Sequence, residues 1–154
     1  DGAIIEAALT GLADEPGSVI VTTAAVDANA FSAPHDRVRI TQFLPHAQVI
    51  PQMDVVVTHG GMGTTQRSLA AGVPVCVVPW GRDQSESARR AVECGAGTIV
   101  ARTKLTPARL RAAVRDARQL APGAQKVAQS FRDAGGGPKG ASLLEELIRQ
   151  GASC

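Results

Sequence analysis

The sequence predicts an α/β fold: a doubly wound, Rossmann-like parallel sheet followed by C-terminal helices. Three observations predict it. Short runs rich in Val and Ile, of the kind that parallel sheets bury on both faces, recur along the chain. Between them stand segments whose apolar residues repeat at helical spacing, joined by short connections. One junction, over residues 59–65, is a glycine-rich passage from a strand into a helix.

The elements follow in order. Ile4, Ile5, Ala8, Leu9 and Leu12 recur at helical spacing, and the pattern stops at Glu15-Pro16-Gly17, a turn. Residues 18–23 form a β-branched run that reads as a strand, and a loop holding Asn29, Ser32 and Pro34 leads to a second strand at Val38-Arg39-Ile40. Residues 45–51 read as a loop with room for one helical turn. Residues 54–58 are a strand, 64–71 a helix stopped by Gly72, and 73–79 the next strand. After a polar loop, 86–94 is helical and stopped by Gly95, and 97–101 is a last short strand. Thr106 as N-cap and Pro107 at the first helical position open another helix. Its apolar face is Leu110, Val114 and Ala117, and Arg109, Arg111, Arg115 and Arg118 read as its solvated face, with a missing domain as the alternative contact. Pro122, Gly123 and the run Gly135-Gly136-Gly137-Pro138 separate two further helices, expected at 124–134 and 141–150; the alternative for 135–140 is a linker.

Composition narrows the class. A chain of 154 residues suits one domain, 1–154, with a real core. Its net charge of +2 is interspersed, and three Phe, one Trp and no Tyr leave little to stack on bases, so nucleic acid is not an expected partner. No apolar span is long enough to cross a bilayer. Cys76, Cys94 and Cys154 are odd in number and lack metal-finger spacing, which points to a reducing cytoplasm and to neither a disulfide framework nor a zinc site. The chain opens on Asp1 without a signal-peptide pattern, so a fragment or processed product is expected.

Chemistry concentrates at Thr58-His59-Gly60-Gly61-Met62-Gly63-Thr64-Thr65. Ligands of open α/β sheets bind beyond the carboxyl ends of strands, where a following helix offers unpaired N–H groups and a positive dipole end. Gly60, Gly61 and Gly63 let the backbone approach phosphate oxygens, Thr64 and Thr65 add hydroxyl donors, and His59 adds a ring N–H. A diphosphate fits this cradle. It is not a Walker A loop, because no Lys follows Gly63, and it does not match the dinucleotide fingerprint. One strand later, Asp83 and Gln84 lie on the loop after residue 79, on the same rim. Their acceptors and donors suit vicinal sugar hydroxyls, with helix N-capping an equally natural and compatible role for Asp83.

Phe43-Leu44-Pro45-His46, His59-Gly60-Gly61-Met62-Gly63-Thr64, Gly72-Val73-Pro74, Pro79 and Asp83-Gln84 together carry a resemblance. The chain is similar to the inverting, nucleotide-sugar-dependent glycosyltransferases of the GT-B fold, above all the bacterial enzymes that glycosylate macrolides, polyketides and glycopeptides. The resemblance makes it the C-terminal, donor-binding half. It implies that His59 and the amides of residues 61–65 hold the donor diphosphate, Asp83 and Gln84 the sugar, and Phe43 and Leu44 the base, Leu44 through its backbone. The donor is then a dTDP- or UDP-sugar, and no metal or other cofactor is required. Arg67 stands where plant relatives carry a ribose-binding Glu, which suits a dTDP-sugar, and Ser87 stands where an Asn is frequent.

The same resemblance implies that the acceptor-binding half, with the catalytic His base, lies outside this sequence, leaving no catalytic residue here. It implies the same for the first strand of the donor domain. In the strand order 3-2-1-4-5-6 that strand is central, so a gap is expected between the strands at Val19 and Val55. His35 and His46 are read as surface or structural residues. A small-molecule acceptor would bind through the other half, and a homodimer or an activator partner stays open. Two further readings remain: a catalytically silent nucleotide-sugar-binding homologue that activates a glycosyltransferase, and an epimerase of the same fold.

Overall fold

The computed structural model describes residues 2–81 and 83–151; Asp1, Arg82 and Cys154 are among the residues outside that description. Helix α1 (Gly2–Gly11) is followed by strand β1 (Val19–Thr22), strand β2 (Val38–Thr41) and a single helical turn, α2 (His46–Val49). Then come β3 (Val56–Thr58), α3 (Met62–Ala70), β4 (Val75–Val77), α4 (Gln84–Glu93) and β5 (Gly97–Ile99). Helices α5 (Pro107–Arg118), α6 (Ala121–Asp133) and α7 (Gly136–Gly151) close the chain. No described helix is long and apolar enough to cross a membrane.

All strand pairs are parallel, in two sheets: β1 with β2, and β3–β4–β5. The interruption falls between β1 and β3, as expected for the Val19 and Val55 strands. β4 lies at the centre of its sheet and is fully buried. Its alternation divides the core. Cys76, with Val78 beyond the strand, packs on one side against Ala8 and Leu12 near α1 and Leu110, Ala113 and Ala117 of α5. Val75 and Val77 pack on the other against Leu69 of α3, Ala88 and Ala91 of α4, and Ala124 of α6. Helices on both faces of a parallel sheet are the doubly wound arrangement.

Helix ends follow local chemistry. Thr106 accepts from the Arg109 amide and caps α5 as predicted. α3 and α4 stop in the same hydrogen-bond pattern: Gly72 N–H donates to Leu69 and Val73 N–H to Ser68, while Gly95 N–H donates to Val92 and Ala96 N–H to Ala91. Four starts differ from expectation, among them α4, which begins at Gln84, two residues before the expected Glu86. α3 begins at Met62, two residues early, with Gly61 as its cap. α6 begins at Ala121, because Pro122 fits a first turn and Gly123 is a contact glycine: a methyl there would meet the Gly95 carbonyl oxygen. α7 absorbs most of the glycine run, the break being confined to Gly135 and Gly136 at positive φ.

Arg109, Arg115 and Arg118 of α5 are exposed, as a solvated face requires, and Arg111 is half-buried, but three of the four also hold protein partners. Arg111 donates to the Gly11 carbonyl at 2.5 Å, Arg115 grips both carboxylate oxygens of Glu15, and Arg118 lies 3.7 Å from Asp54. They tie α5 to the segment ahead of β1 and to the approach to β3. Arg115 holds the Glu15 carboxyl below the usual carboxylate range.

Candidate functional site

β3 ends at Thr58, and the chain reverses over His59, Gly60 and Gly61 into α3. Gly60 adopts φ +92°, and its N–H is held by the Thr58 hydroxyl at 3.2 Å. A methyl at Gly60 would lie 2.8 Å from Val77 Cγ1 and 3.0 Å from the Gln84 carbonyl oxygen. Only a glycine fits so close, and the contact brings the starts of α3 and α4 side by side. Two positive helix ends therefore meet on one rim.

His59 completes the turn. A methyl on Gly61 would come within 2.7 Å of His59 Nε2, so the imidazole folds over the N-terminus of α3. The first bond of α3 runs from the Thr65 amide to the Gly61 carbonyl at 3.1 Å, leaving the amides of Met62, Gly63 and Thr64 without an acceptor inside the helix. Nothing lies within 4 Å of the place a Gly63 side chain would take. Thr65 is not brought to this opening with the others: its amide is committed and its side chain is buried.

Asp83 occupies the cap position of α4, yet its carboxylate makes no capping bond, and the side chain is exposed. Gln84 is more constrained. Its Oε1 accepts from the Trp80 amide at 2.8 Å and the Gly81 amide at 3.3 Å, so its Nε2 is the group left to donate outward. Sequence reasoning missed this role for Trp80, whose ring also carries the Arg102 guanidinium 4.1 Å from its centroid. An amide side chain at the first turn after a Pro-Trp-Gly loop was the available signal.

Leu44, His46, His59 and Thr64 line one end of a cleft of about 410 Å³ that runs between β1 and β3. Phe43 is 76% exposed and is not among the cleft-lining residues, so the structure joins Leu44 to the cradle and leaves Phe43 on the surface. His35 is structural, its Nε2 2.6 Å from the Ala13 carbonyl oxygen.

Comparison with known proteins places the chain in a family and a fold. Residues 6–148 match the family described as the C-terminal domain of erythromycin biosynthesis protein CIII-like proteins. The chain is 29% identical over 114 residues to the uncharacterized UDP-glucosyltransferase YojK of Bacillus subtilis (strain 168), covering 72% of this chain and 28% of that protein. It is 35% identical over 109 residues to the 4′-demethylrebeccamycin synthase of Lentzea aerocolonigenes, covering 70% and 25%. The crystal structure of the glycotransferase of kitacinnamycin superposes with a TM-score of 0.84 at 31% identity, covering 92% of this chain and 38% of that one. The glycosyltransferase VinC, solved in complex with dTDP, gives 0.67 at 30%, covering 80% and 33%. The chain thus spans less than a third of the length of these curated relatives.

Proposed function

The chain belongs to the family of erythromycin biosynthesis protein CIII-like C-terminal domains, which have the GT-B fold of glycosyltransferases, and on that premise we propose that it is the donor-binding domain of a longer, inverting enzyme. The donor is a dTDP- or UDP-sugar, the acceptor a small natural product held by the other half, and the compartment the cytoplasm. One observation carries the reading: Gly60 packs the N-terminus of α3, with His59 over it, directly against the Asp83–Gln84 corner of α4. A diphosphate at the free amides of residues 62–64 would place its attached sugar within reach of that corner.

The chemistry follows from charge. When an acceptor oxygen displaces the nucleoside diphosphate in line at the anomeric carbon, negative charge grows on the leaving phosphate. Amides and dipoles already aimed there stabilise it without reorganisation. His59 adds a ring N–H, Asp83 accepts from a sugar hydroxyl, and Gln84 donates through Nε2. Thr64 contributes its amide and hydroxyl, whereas Thr65 supports the helix start from below. Leu44 meets the base through its backbone, with Phe43 as an exposed stacking face. VinC, at 30% identity, was solved with dTDP, and Arg67, in place of a ribose-binding carboxylate, favours the same nucleotide. The base that activates the acceptor belongs to the other half, so the chain alone transfers no sugar.

Thermal unfolding of the chain with dTDP, UDP, GDP and their sugars tests the proposal. A ligand at a hundredfold excess over its Kd adds about 2.7 kcal/mol of stability, which corresponds to a rise of roughly 5–10 °C for a domain of this size. The proposal expects that rise with dTDP or UDP ligands. No rise with any nucleotide, or sugar turnover by this chain alone, would refute it.

A further inference from the structure

We propose that Arg102 is a positioning residue for the donor sugar: stacked on Trp80, it holds the loop whose amides set the direction of the Gln84 side chain. The sugar half of this rests on the donor reading, whereas the contacts stand without it. β4 and β5 pair in parallel with Val77 opposite Ile99, and the Val100 amide donates to the Val77 carbonyl at 2.9 Å. Trp80 and Arg102 each lie three residues beyond that pair, so the register carries them side by side past the carboxyl ends of the two strands. There the Arg102 guanidinium sits 4.1 Å from the centroid of the Trp80 ring. Trp80 Nε1 is buried and finds no hydrogen-bond partner among the described residues, and among the same residues Arg102 has no ion pair. No hydrogen bond tethers the indole and no carboxylate draws the cation away. What locates the ring is packing and the charge over its face.

Arg102 reaches the ring from a fixed backbone. It opens a turn of 3-10 helix, Arg102–Lys104, in which the Lys104 amide donates to the Ala101 carbonyl at 2.8 Å and the Leu105 amide to the Arg102 carbonyl at 3.2 Å. Leu105 then packs against the core that includes Leu110, and Thr106 caps α5. From the ring the constraint passes to the site through the backbone of Trp80 itself. Its amide donates to Gln84 Oε1 at 2.8 Å, and the Gly81 amide adds a second bond at 3.3 Å. A side-chain amide carries its acceptor and its donors on opposite arms, so fixing the oxygen aims the nitrogen. If the 80–81 loop shifts, the Gln84 amide is free to turn, presents oxygen and nitrogen alternately, and must be ordered again each time a sugar binds. Arg102 thus acts on the sugar without touching it, and it favours a sugar hydroxyl that accepts from Gln84 Nε2.

Arg102→Ala tests this in two arms. Arg102 is exposed, so the truncation removes no core contact. Without ligand, NMR should show hydrogen exchange at the Trp80 and Gly81 amides quickening by about two- to fivefold, the scale of an exposed cation–π contact, and the Gln84 side-chain amide signals moving. With ligand, calorimetric titration should find dTDP bound as before and dTDP-glucose bound about two- to fivefold more weakly. In a Gln84→Ala background the same substitution should change neither affinity, because its effect passes through Gln84. Unmoved Gln84 signals, unchanged dTDP-glucose affinity, equal weakening of both ligands, or the same loss repeated in Gln84→Ala overturns the role of Arg102 while the donor reading stands. Binding of neither ligand by the unaltered chain refutes the donor reading and the sugar role of Arg102 with it.

Discussion

Replacing Gly60 with alanine perturbs the contact on which the site depends. The added methyl must sit at φ +92°, 2.8 Å from Val77 Cγ1 and 3.0 Å from the Gln84 carbonyl oxygen. The valine methyl has nowhere to go in a buried strand, and the carbonyl is backbone at the start of α4, so relief requires that start to move. A left-handed backbone costs a non-glycine residue about 1–2 kcal/mol, and overpacking of a tight interior adds about 1–3 kcal/mol. The sum, about 2–5 kcal/mol, is a large part of the 5–15 kcal/mol that holds an ordinary domain together. Urea unfolding followed by circular dichroism should show the unfolding free energy falling by that amount, as a lower midpoint with an unchanged slope. Gly63→Ala, whose methyl meets nothing within 4 Å, is the matched control. A loss at Gly60→Ala below about 0.5 kcal/mol, the scale of ordinary surface substitutions, would refute the argument that α3 and α4 are pressed together at this point.

The remaining predictions address binding, pH and reactivity. Gly63→Ala should leave stability unchanged or raise it by up to about 1 kcal/mol, yet weaken dTDP binding about tenfold, because a Cβ in the first helical turn tilts toward the N-terminus and into the place of the phosphate; calorimetric titration separates the two effects. His59→Ala should weaken nucleotide diphosphate binding by about 1.5–3 kcal/mol, the range for charge-assisted hydrogen bonds, and unchanged affinity would remove His59 from the cradle. Because the Glu15 carboxyl is held below its ordinary value of 4.5 by Arg115, its contribution to stability is complete above that value and is lost as pH falls through the lower folded one. Urea midpoints of the protein and of Glu15→Gln should differ at pH 7 and converge in acid below about pH 4.5; parallel curves would contradict this. Burial pushes the Cys76 thiol up to about 11, so peptide mapping after brief alkylation at pH 8 should find exposed Cys94 modified and Cys76 intact.

What the sequence made legible was whatever has a local cause. Val/Ile runs located every strand, and Thr106-Pro107 located the start of α5, because capping is decided within four residues. The glycine-rich turn and Asp83-Gln84 could be placed on one rim from topology alone. Four things were not legible: most depend on a distant partner, and one, Gln84, on how a side chain folds back within its own loop. The partners of the α5 arginines do not show in sequence, since Gly11 and Glu15 lie about a hundred residues away. Gly123 reads as a helix breaker until Gly95 is seen against it. Gln84 reads as a free amide until its oxygen is found on the Trp80 and Gly81 amides. Thr65 belongs with these: whether a hydroxyl in a helix's first turn faces ligand or core depends on which way the helix is rolled against its neighbours.

The most direct measurement is an NMR titration of the ¹⁵N-labelled chain with dTDP and then with a dTDP-sugar. The account predicts that dTDP shifts the amides of Gly61, Met62, Gly63 and Thr64 together with the His59 ring, and that the sugar extends the changes to Asp83 and the Gln84 side-chain amide. Absence of binding at millimolar nucleotide, or changes confined to the cleft-facing amides of Ile20 and Val57, would contradict it.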